Sequence, residues 1–286
     1  MNWTLSAFAD EAAPSCDDQI AALTRAGLKY LDLRSIEGHN ISVLPLDVAR
    51  EVKTKLDAAG IRVQMLGSPL GKIDIADDFA SELQKLRHIG EVAPLLGCHA
   101  VRVFSYYNAR GASHAEWMAK GLARLETLRG EAKNLGLTLF HENERHIFGD
   151  LGDDVLQIAN LRDANFRLIF DFDNFNQSGE DVWQTWQKLA DFTDSFHIKD
   201  STGDNQHVPA GQGNGKIPEI LADAVARGWS GPLAVEPHLS HSGAVAATGP
   251  SGAPNQAFSA MAKEESFHIA LEAAKTVLQG AGARWE

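Results

Sequence analysis

Short apolar runs alternate with amphipathic, helix-like segments along most of the chain. The first apolar run covers residues 5–9, and behind it Ile20, Leu23 and Ala26 recur at three-residue spacing before Gly27. Recurrence every three or four residues indicates a helix with one apolar face, and a glycine commonly follows the last turn. The opening unit is therefore predicted to be a strand followed by a helix.

The same unit recurs down to the C-terminus. Further strands are predicted at residues 30–33, 61–66, 100–104, 137–141, 166–170, 195–198 and 233–235. Further helices are predicted at residues 46–59, 79–96, 113–134, 153–161, 181–190, 217–227 and 262–279. Eight alternating units favour a parallel sheet closed as a (β/α)₈ TIM barrel, with residues 1–286 forming a single α/β domain. A doubly wound open sheet is the alternative, because alternation does not reveal closure, but no G-x-G-x-x-G motif follows the first strand.

Two segments interrupt this rhythm. Residues 199–215 contain four glycines, and residues 238–260 are rich in Gly, Ala, Ser and Pro. Long loops after barrel strands lie at the catalytic mouth, so both segments are expected there as lids or subunit contacts. A tolerated flexible insertion is the alternative for the second segment.

The charge balance favours a small sugar-like metabolite over nucleic acid as the partner. Lysine and arginine number 26 against 38 aspartates and glutamates, which gives a formal net charge of -12, and a polyanion would be repelled. Cys16 and Cys98 are far apart and lack C-x-x-C spacing, so neither a disulfide framework nor a zinc ribbon is expected. With no signal sequence and no apolar run of about 20 residues, the protein is expected to be cytoplasmic and not to enter a membrane.

Ionisable side chains stand at the ends of four consecutive predicted strands. Glu142, Asp171, His197 and Glu236 mark the fifth to eighth strands, at intervals of 29, 26 and 39 residues. A barrel of roughly 250 residues has about 31 residues per unit, so these side chains recur nearly in phase with it. Because the carboxyl ends of barrel strands converge on one cavity, the four groups are expected to lie together.

Three carboxylates and one imidazole form a mixed oxygen and nitrogen ligand set. Such a set suits Mn²⁺, Mg²⁺ or Co²⁺ better than an ion that prefers thiolates. Clustered negative charge in a closed cavity is also unfavourable without a cation. The sequence therefore predicts one bound divalent metal ion, with Mn²⁺ as the first choice.

Several short motifs resemble those of the xylose isomerase-like barrels. The motifs are Phe8-Ala9-Asp10-Glu11, Phe140-His141-Glu142-Asn143, Phe170-Asp171-Phe172-Asp173-Asn174, Phe196-His197-Ile198-Lys199-Asp200, Pro209-Ala210-Gly211-Gln212-Gly213 and Val235-Glu236-Pro237. Their order is similar to that in sugar phosphate isomerases and epimerases, with ketose 3-epimerases and inosose-processing enzymes nearby. The resemblance covers nearly the whole chain. It implies that Glu142, Asp171, His197 and Glu236 bind one divalent ion.

The implied reaction is isomerisation or epimerisation of a ketose, inosose or keto-sugar through an enediolate. A metal polarises the sugar oxygens while a carboxylate removes the proton from the neighbouring carbon. Glu142 and Glu236 are the candidates for this proton exchange. Lys199 is a candidate to neutralise an oxyanion or to meet a phosphate, and a surface lysine paired to Asp200 is the alternative.

Four further side chains are candidate substrate contacts. They are Glu144, Asn174, His207 and His238. Glu144 and Asn174 stand where many relatives carry histidine. His207, His238 and His241 fall in loops at the predicted mouth, where a solvated loop histidine is the alternative.

Other functions remain open on the sequence. The same enediolate can expel a leaving group, so a lyase or dehydratase performing β-elimination on a 3-keto-sugar or keto-glycoside would use nearly the same residues. An endonuclease IV type of repair enzyme shares the barrel but needs three metal ions and more histidines, and the acidic charge balance opposes it. A non-catalytic sugar-binding barrel is a further alternative. Trp183 and Trp186 on an outer helix are consistent with a homodimer or homotetramer.

Overall fold

The alternating units close into a barrel in the computed structural model, which describes residues 3–240 and 256–286. Within these residues the barrel strands are β1 (Thr4–Ala7), β2 (Tyr30–Leu33), β3 (Arg62–Leu66), β4 (Ala100–Val103), β5 (Thr138–Glu142), β6 (Phe166–Asp171), β7 (Ser195–Ile198) and β8 (Pro232–Val235). Each strand pairs in parallel with the next, and β1 also pairs with β8, from Thr4↔Pro232 to Ala7↔Val235. The predicted TIM barrel is confirmed, and the open sheet is excluded.

A helix follows each barrel strand. The helices are α1 (Cys16–Arg25), α2 (Leu46–Ala58), α3 (Ala80–Leu96), α4 (His114–Asn134), α5 (Gly152–Ala159), α6 (Val182–Leu189), α7 (Ile217–Ala226) and α8 (Lys263–Gly280). Ser15 and Ser113 begin α1 and α4 by accepting the backbone N–H groups of Asp18 and Glu116, which stabilises the first turn of a helix. The predicted bounds agree with these elements to within one or two residues.

Short elements at the carboxyl ends of the strands were not predicted. A helix spanning Phe172–Gln177 directly follows β6, and a helix spanning Gln256–Ser259 precedes α8. Two antiparallel pairs join Ser35–Ile36 to His39–Asn40 and Asp200–Ser201 to His207–Val208. Most of the segment predicted at 238–260 lies outside the described residues. Among the helices that are described, none is both long and apolar enough to cross a lipid bilayer.

Aromatic side chains pack on the outer side of β6 and β7 and fix the ends of these strands. The ring centroids of Phe170 and Trp186 lie 5.6 Å apart, and those of Phe172 and Phe196 lie 5.3 Å apart in a stacked arrangement. All four rings are buried, and aromatic pairs in such geometries stabilise a core beyond the area they bury. The backbone that carries the ends of these two strands is therefore held by close packing.

Candidate metal centre and active site

The fifth to eighth strands bring the four predicted ligand side chains together. Glu142 and Asp171 are the last residues of β5 and β6, His197 lies in β7, and Glu236 directly follows β8. The ladder sets Asp171 beside His197, and His197 beside Ala234 of β8. One ligand-type atom from each of the four side chains lies within 4.8 Å of all the others, and every one of these side chains is buried. The structure therefore contains a single compact group of three carboxylates and an imidazole.

Several polar atoms of this group have no hydrogen bond to any part of the chain that the structure describes. They are Oε2 of Glu142, Oδ2 of Asp171 and both ring nitrogens of His197. Three cation contacts do reach this group as ion pairs: His197 Nδ1 lies 3.0 Å from Glu142 Oε1, Arg102 Nη1 lies 3.1 Å from Glu142 Oε2, and Lys199 Nζ lies 3.3 Å from Asp171 Oδ2. Buried polar atoms are nearly always satisfied, and a divalent cation takes such oxygen and nitrogen donors directly. The residues present thus fit a metal ion.

The pKa values of the three carboxyls diverge because they share one buried space. Burial alone would raise the pKa of Glu142, but His197 and Arg102 hold it at about 2. Burial opposes ionisation of Glu236 as well, yet Lys199 and other cations hold its pKa well below the usual range. Burial, together with the neighbouring Glu142 and Glu236, raises the pKa of Asp171 well above its usual value despite Lys199. Three carboxylates this close need additional positive charge to be ionised together.

Two buried arginines that the sequence analysis missed contact the carboxylates. Arg34 Nη1 lies 2.8 Å from Glu236 Oε1. Arg102 Nη1 lies 3.1 Å from Glu142 Oε2 and 3.5 Å from Glu236 Oε1. The sequence does contain an indication for Arg102, which lies in the otherwise apolar strand β4. A charged residue inside a parallel strand is buried and needs a partner of opposite charge. The two guanidinium groups fix one oxygen atom of each glutamate.

Lys199 belongs to the site and is not a surface residue. Its Nζ lies 3.4 Å from Glu236 Oε2 and donates to Asn174 Oδ1 at 3.0 Å. Asn174 in turn donates from Nδ2 to the backbone carbonyl of Asn143 at 2.8 Å. Burial would lower the pKa of Lys199, but Asp171 and Glu236 raise it well above its usual value. Lys199 therefore carries its positive charge inside the cluster.

Asp200 forms a contact other than the predicted pair with Lys199. Its carboxylate accepts the backbone N–H groups of Gly211, Gly213 and Gly215, each at 2.9 Å. A Cβ atom on Gly213 would lie 2.3 Å from Asp200 Oδ1, so the loop has no room for a side chain there. Asp200 thereby holds the glycine-rich segment of 199–215 against the carboxyl end of β7.

The predicted substrate contacts lie at differing depths around this group. His207 is buried, its Nδ1 lies 3.2 Å from Asp173 Oδ2, and its ring stacks on that of His238 at 5.2 Å between centroids. His238 is also buried, with Nδ1 at 4.0 Å from Glu236 Oε2. Neither histidine is a solvated loop residue, and His241 lies outside the described residues. Glu144 is separate from the group and pairs with Lys72 Nζ at 2.8 Å.

Glu11, Glu236 and His238 form a second buried grouping, also with ligand-type atoms within 4.8 Å of one another. Arg34 already pairs with Glu11 at 3.2 Å and with Glu236 at 2.8 Å, and Glu11 Oε2 accepts the backbone N–H of His238 at 2.7 Å. Arg34 thus supplies counter-charge to both carboxylates, although burial still raises the pKa of Glu11 to about 8. A guanidinium at this position disfavours a second cation.

The fold and the group of ligand-type side chains define a (β/α)₈ barrel with a candidate metal centre at the carboxyl ends of its strands. A family model described as xylose isomerase-like TIM barrel matches residues 20–262. The chain belongs to this family. No protein with a curated description matches the sequence.

Solved structures with low sequence identity share the fold over almost the full length. The IOLI protein with a zinc atom aligns with a TM-score of 0.75 at 15% identity, covering 96% of this chain and 98% of that one. A D-psicose 3-epimerase, crystallised in the presence of D-fructose, aligns with a TM-score of 0.72 at 14% identity, covering 98% of this chain and 100% of that one. The probable 3-DHS dehydratase AsbF from Bacillus anthracis aligns with a TM-score of 0.70 at 14% identity, covering 96% of this chain and 99% of that one. At these identities the likeness concerns the fold.

Proposed function

We propose that the protein is a divalent-metal-dependent isomerase or epimerase that acts on a ketose, an inosose or another keto-sugar through an enediolate. The observation that carries this proposal is the buried group of Glu142, Asp171, His197 and Glu236, whose ligand-type atoms lie within 4.8 Å of one another. The overall charge of -12 supports a small sugar derivative over a nucleic acid. We expect such an enzyme to work in the cytoplasm.

The four side chains would hold one divalent ion, with Mn²⁺ as the first choice and Mg²⁺ or Co²⁺ as alternatives. When bound, such an ion polarises the substrate oxygens and offsets the negative charge that develops on them. Buried atoms of Glu142, Asp171 and His197 that lack a hydrogen bond within residues 3–240 and 256–286 support this assignment. A similar fold was solved with a zinc atom, and calorimetric titration with Mn²⁺, Mg²⁺, Co²⁺ and Zn²⁺ distinguishes the ions.

Glu142 and Glu236 are the proposed proton-transfer residues. They come from β5 and β8, which are three strands apart around the barrel, so they can approach a bound sugar from different sides. One carboxylate takes the proton from the carbon beside the carbonyl, and the other glutamate passes a proton taken up from solvent to the opposite face of that carbon, which inverts it. Arg102 contacts both glutamates and holds them in fixed orientations for this exchange.

Other side chains of the cluster are proposed to bind and orient the substrate. The charged Lys199, held by Asn174 and Glu236, can stabilise an oxyanion because it is buried and excluded from water. His207 and His238 have ring nitrogens with no hydrogen bond among the described residues, and these nitrogens can bind sugar hydroxyl groups. Asn174 and Glu144 complete the proposed contacts, with Glu144 farther out beside Lys72.

A metal-dependent lyase or dehydratase is the second candidate. The specific support is the likeness to the probable 3-DHS dehydratase at a TM-score of 0.70. The same proton removal beside a carbonyl would then be followed by loss of water or of an aglycone from the neighbouring carbon. The two reactions differ in the mass of the product and in the fate of the solvent proton.

One experiment distinguishes these reactions. The Mn²⁺-loaded protein is incubated in D₂O with ketoses, inososes and 3-keto-glycosides, and the products are followed by NMR and mass spectrometry. A product that has the same molecular formula apart from one incorporated deuterium supports isomerisation or epimerisation, and loss of water or an aglycone supports the lyase. Glu142→Gln and Glu236→Gln should each lower turnover by about 10²- to 10⁴-fold. Glu219→Gln is the control, because Glu219 is 55% exposed on α7. Unchanged turnover in both variants would contradict the proposed roles.

A further inference from the structure

Asp32 faces the candidate ligand His197 from within the barrel. It lies in β2, is 1% exposed, and its Oδ2 atom is 4.0 Å from Nε2 of His197. Neither atom has a hydrogen bond to any other group in the described part of the chain. A carboxylate oxygen that can accept a hydrogen bond and an imidazole nitrogen that can donate one thus lie opposite each other, beneath the group of ligand-type side chains.

A short chain of polar side chains holds Asp32 in this position. Asp32 Oδ1 accepts the hydroxyl proton of Ser6 at 2.6 Å, while the backbone carbonyl of Leu233 lies farther from that hydroxyl, at 3.2 Å. Ser6 in turn accepts a hydrogen bond from Gln64 Nε2 at 2.9 Å. Strands β1, β2 and β3 therefore each contribute one polar residue, of which Ser6 and Asp32 are buried and Gln64 is half-buried. Because Oδ1 is occupied by Ser6, Oδ2 is the atom left to face His197.

The two nitrogens of His197 point to different surroundings. Nδ1 lies 3.0 Å from Glu142 Oε1 and so faces the proposed ligand group, whereas Nε2 faces Asp32. The Phe8 ring packs edge-on against the imidazole at 5.3 Å between centroids, which restricts tilting of the ring. A metal ligand needs its lone pair on the nitrogen that faces the ion, so the proton of neutral His197 has to be on Nε2.

We propose that Asp32 is a positioning residue for the metal centre: its carboxylate accepts the Nε2 proton of His197 and thereby keeps the Nδ1 lone pair directed at the metal. This inference rests on the proposed function. A shift of about 1 Å brings the two atoms to hydrogen-bond distance. Carboxylates that orient ligating histidines in this way fix the tautomer and strengthen metal binding.

The variant Asp32→Asn tests the tautomer directly. Ser6 would still donate to the amide oxygen, so the amide NH₂ would face Nε2 and favour the proton on Nδ1, which blocks ligation. We expect 10- to 100-fold weaker binding of Mn²⁺ and Co²⁺ by titration calorimetry, roughly the effect of losing such a partner, and a changed visible absorption spectrum of bound Co²⁺. Ser195→Ala is the control, because Ser195 lies buried in the same strand as His197 but donates to the carbonyl of Pro232.

The outcomes separate this inference from the proposed function. Absence of metal binding by the wild-type protein would overturn the proposed function, and this inference with it. If the wild type binds metal and Asp32→Asn binds it with the same affinity and the same Co²⁺ spectrum, only the proposed role of Asp32 is overturned. If Asp32→Asn does not fold, Ser6→Ala decides, because it keeps the carboxylate but releases Oδ1: a several-fold loss of affinity is expected, and unchanged affinity would contradict the inference.

Discussion

Arg34 is a buried residue on which three acidic side chains near the site converge. Its guanidinium donates to both oxygens of Asp10 at 2.8 Å, to Glu236 at 2.8 Å and to Glu11 at 3.2 Å. Arg34 is 1% exposed and the three carboxyls are at most 7% exposed. Breaking a buried ion pair by removing one partner is strongly destabilising, because the other charge stays buried without compensation.

The variant Arg34→Met should therefore lower the free energy of unfolding by about 3–5 kcal/mol. Urea denaturation measures this change. The control is Arg25→Met, since Arg25 pairs with Glu264 at 2.8 Å but the two side chains are 65% and 40% exposed, and exposed pairs contribute about 1 kcal/mol or less. Similar losses in the two variants would show that Arg34 does not stabilise the buried carboxyls as its contacts indicate.

The two cysteines should be unreactive in the native protein. Burial raises the pKa of Cys16 to about 11 and that of Cys98 to about 12. Because the thiolate is the nucleophile, neither residue is reactive at pH 8 while the fold is intact. A disulfide reagent such as DTNB should react slowly with the native protein and quickly with both thiols in guanidinium. Rapid reaction of either thiol before unfolding would contradict this expectation.

At the residue scale, the position of ionisable side chains at strand ends predicted which four ligand-type side chains meet. It did not predict that Arg34 and Arg102 contact their carboxylates. Glu142 and Asp171 end strands that the sequence marks clearly, so their convergence follows from the barrel itself. Asp32 and Arg102 lie within strands, and both faces of a parallel barrel strand are buried. Local sequence therefore does not tell which charge from another strand each one meets.

At the scale of single elements, the loop after β3 depends on Gly71. Its φ is 88°, and a Cβ atom there would lie 2.0 Å from the backbone oxygen of Phe104. The Gly71 N–H also donates to the buried Glu82 Oε2 at 2.6 Å. The loop thus passes so close to the end of β4 that only a residue without a side chain fits.

Gly71→Ala should destabilise the protein by about 3 kcal/mol or more, from backbone strain and steric overlap together. Gly27→Ala is the matched control: its φ is 68°, but nothing lies within 4 Å of the added Cβ, so only strain of about 1 kcal/mol is expected. Thermal and urea unfolding of both variants measure the difference. Equal losses of stability in the two variants would mean that the backbone at Phe104 can move away from the added Cβ atom.

The elements that the sequence predicted well are those stabilised by their own residues. The apolar face and the Ser113 capping box of α4 are local, and they define the start of that helix. The helix Phe172–Gln177 was missed because the residue that caps it, Asp171, which accepts the N–H of Asn174 at 2.8 Å, also ends β6. The pair formed by Asp200–Ser201 and His207–Val208 was missed because two residues per strand are too few to show an alternating apolar pattern.

At the scale of the whole molecule, closure of the barrel joins the two ends of the chain. Trp3 and Trp285 form a bridge, Glu286 donates its N–H to the carbonyl of Trp3 at 3.1 Å, and Leu5 donates to the carbonyl of Glu286 at 3.2 Å. Alternation of strands and helices could not reveal this closure, since the pairing of β1 with β8 spans more than 200 residues. A metal centre built from β5 to β8 would bind the closed barrel and not the unfolded chain.

Metal binding should consequently stabilise the entire fold. Any ligand that binds only the native state adds about 2.7 kcal/mol to the free energy of unfolding at a free concentration of 100 Kd, which for a protein of this size raises Tm by roughly 4–5 °C. We expect Mn²⁺ to raise Tm and EDTA to reverse the rise, measured by calorimetry. The double variant Glu142→Gln, Asp171→Asn should lose this shift, because two of the four ligand-type side chains are then uncharged. An equal shift in that variant would place the ion at another site and contradict the proposed centre.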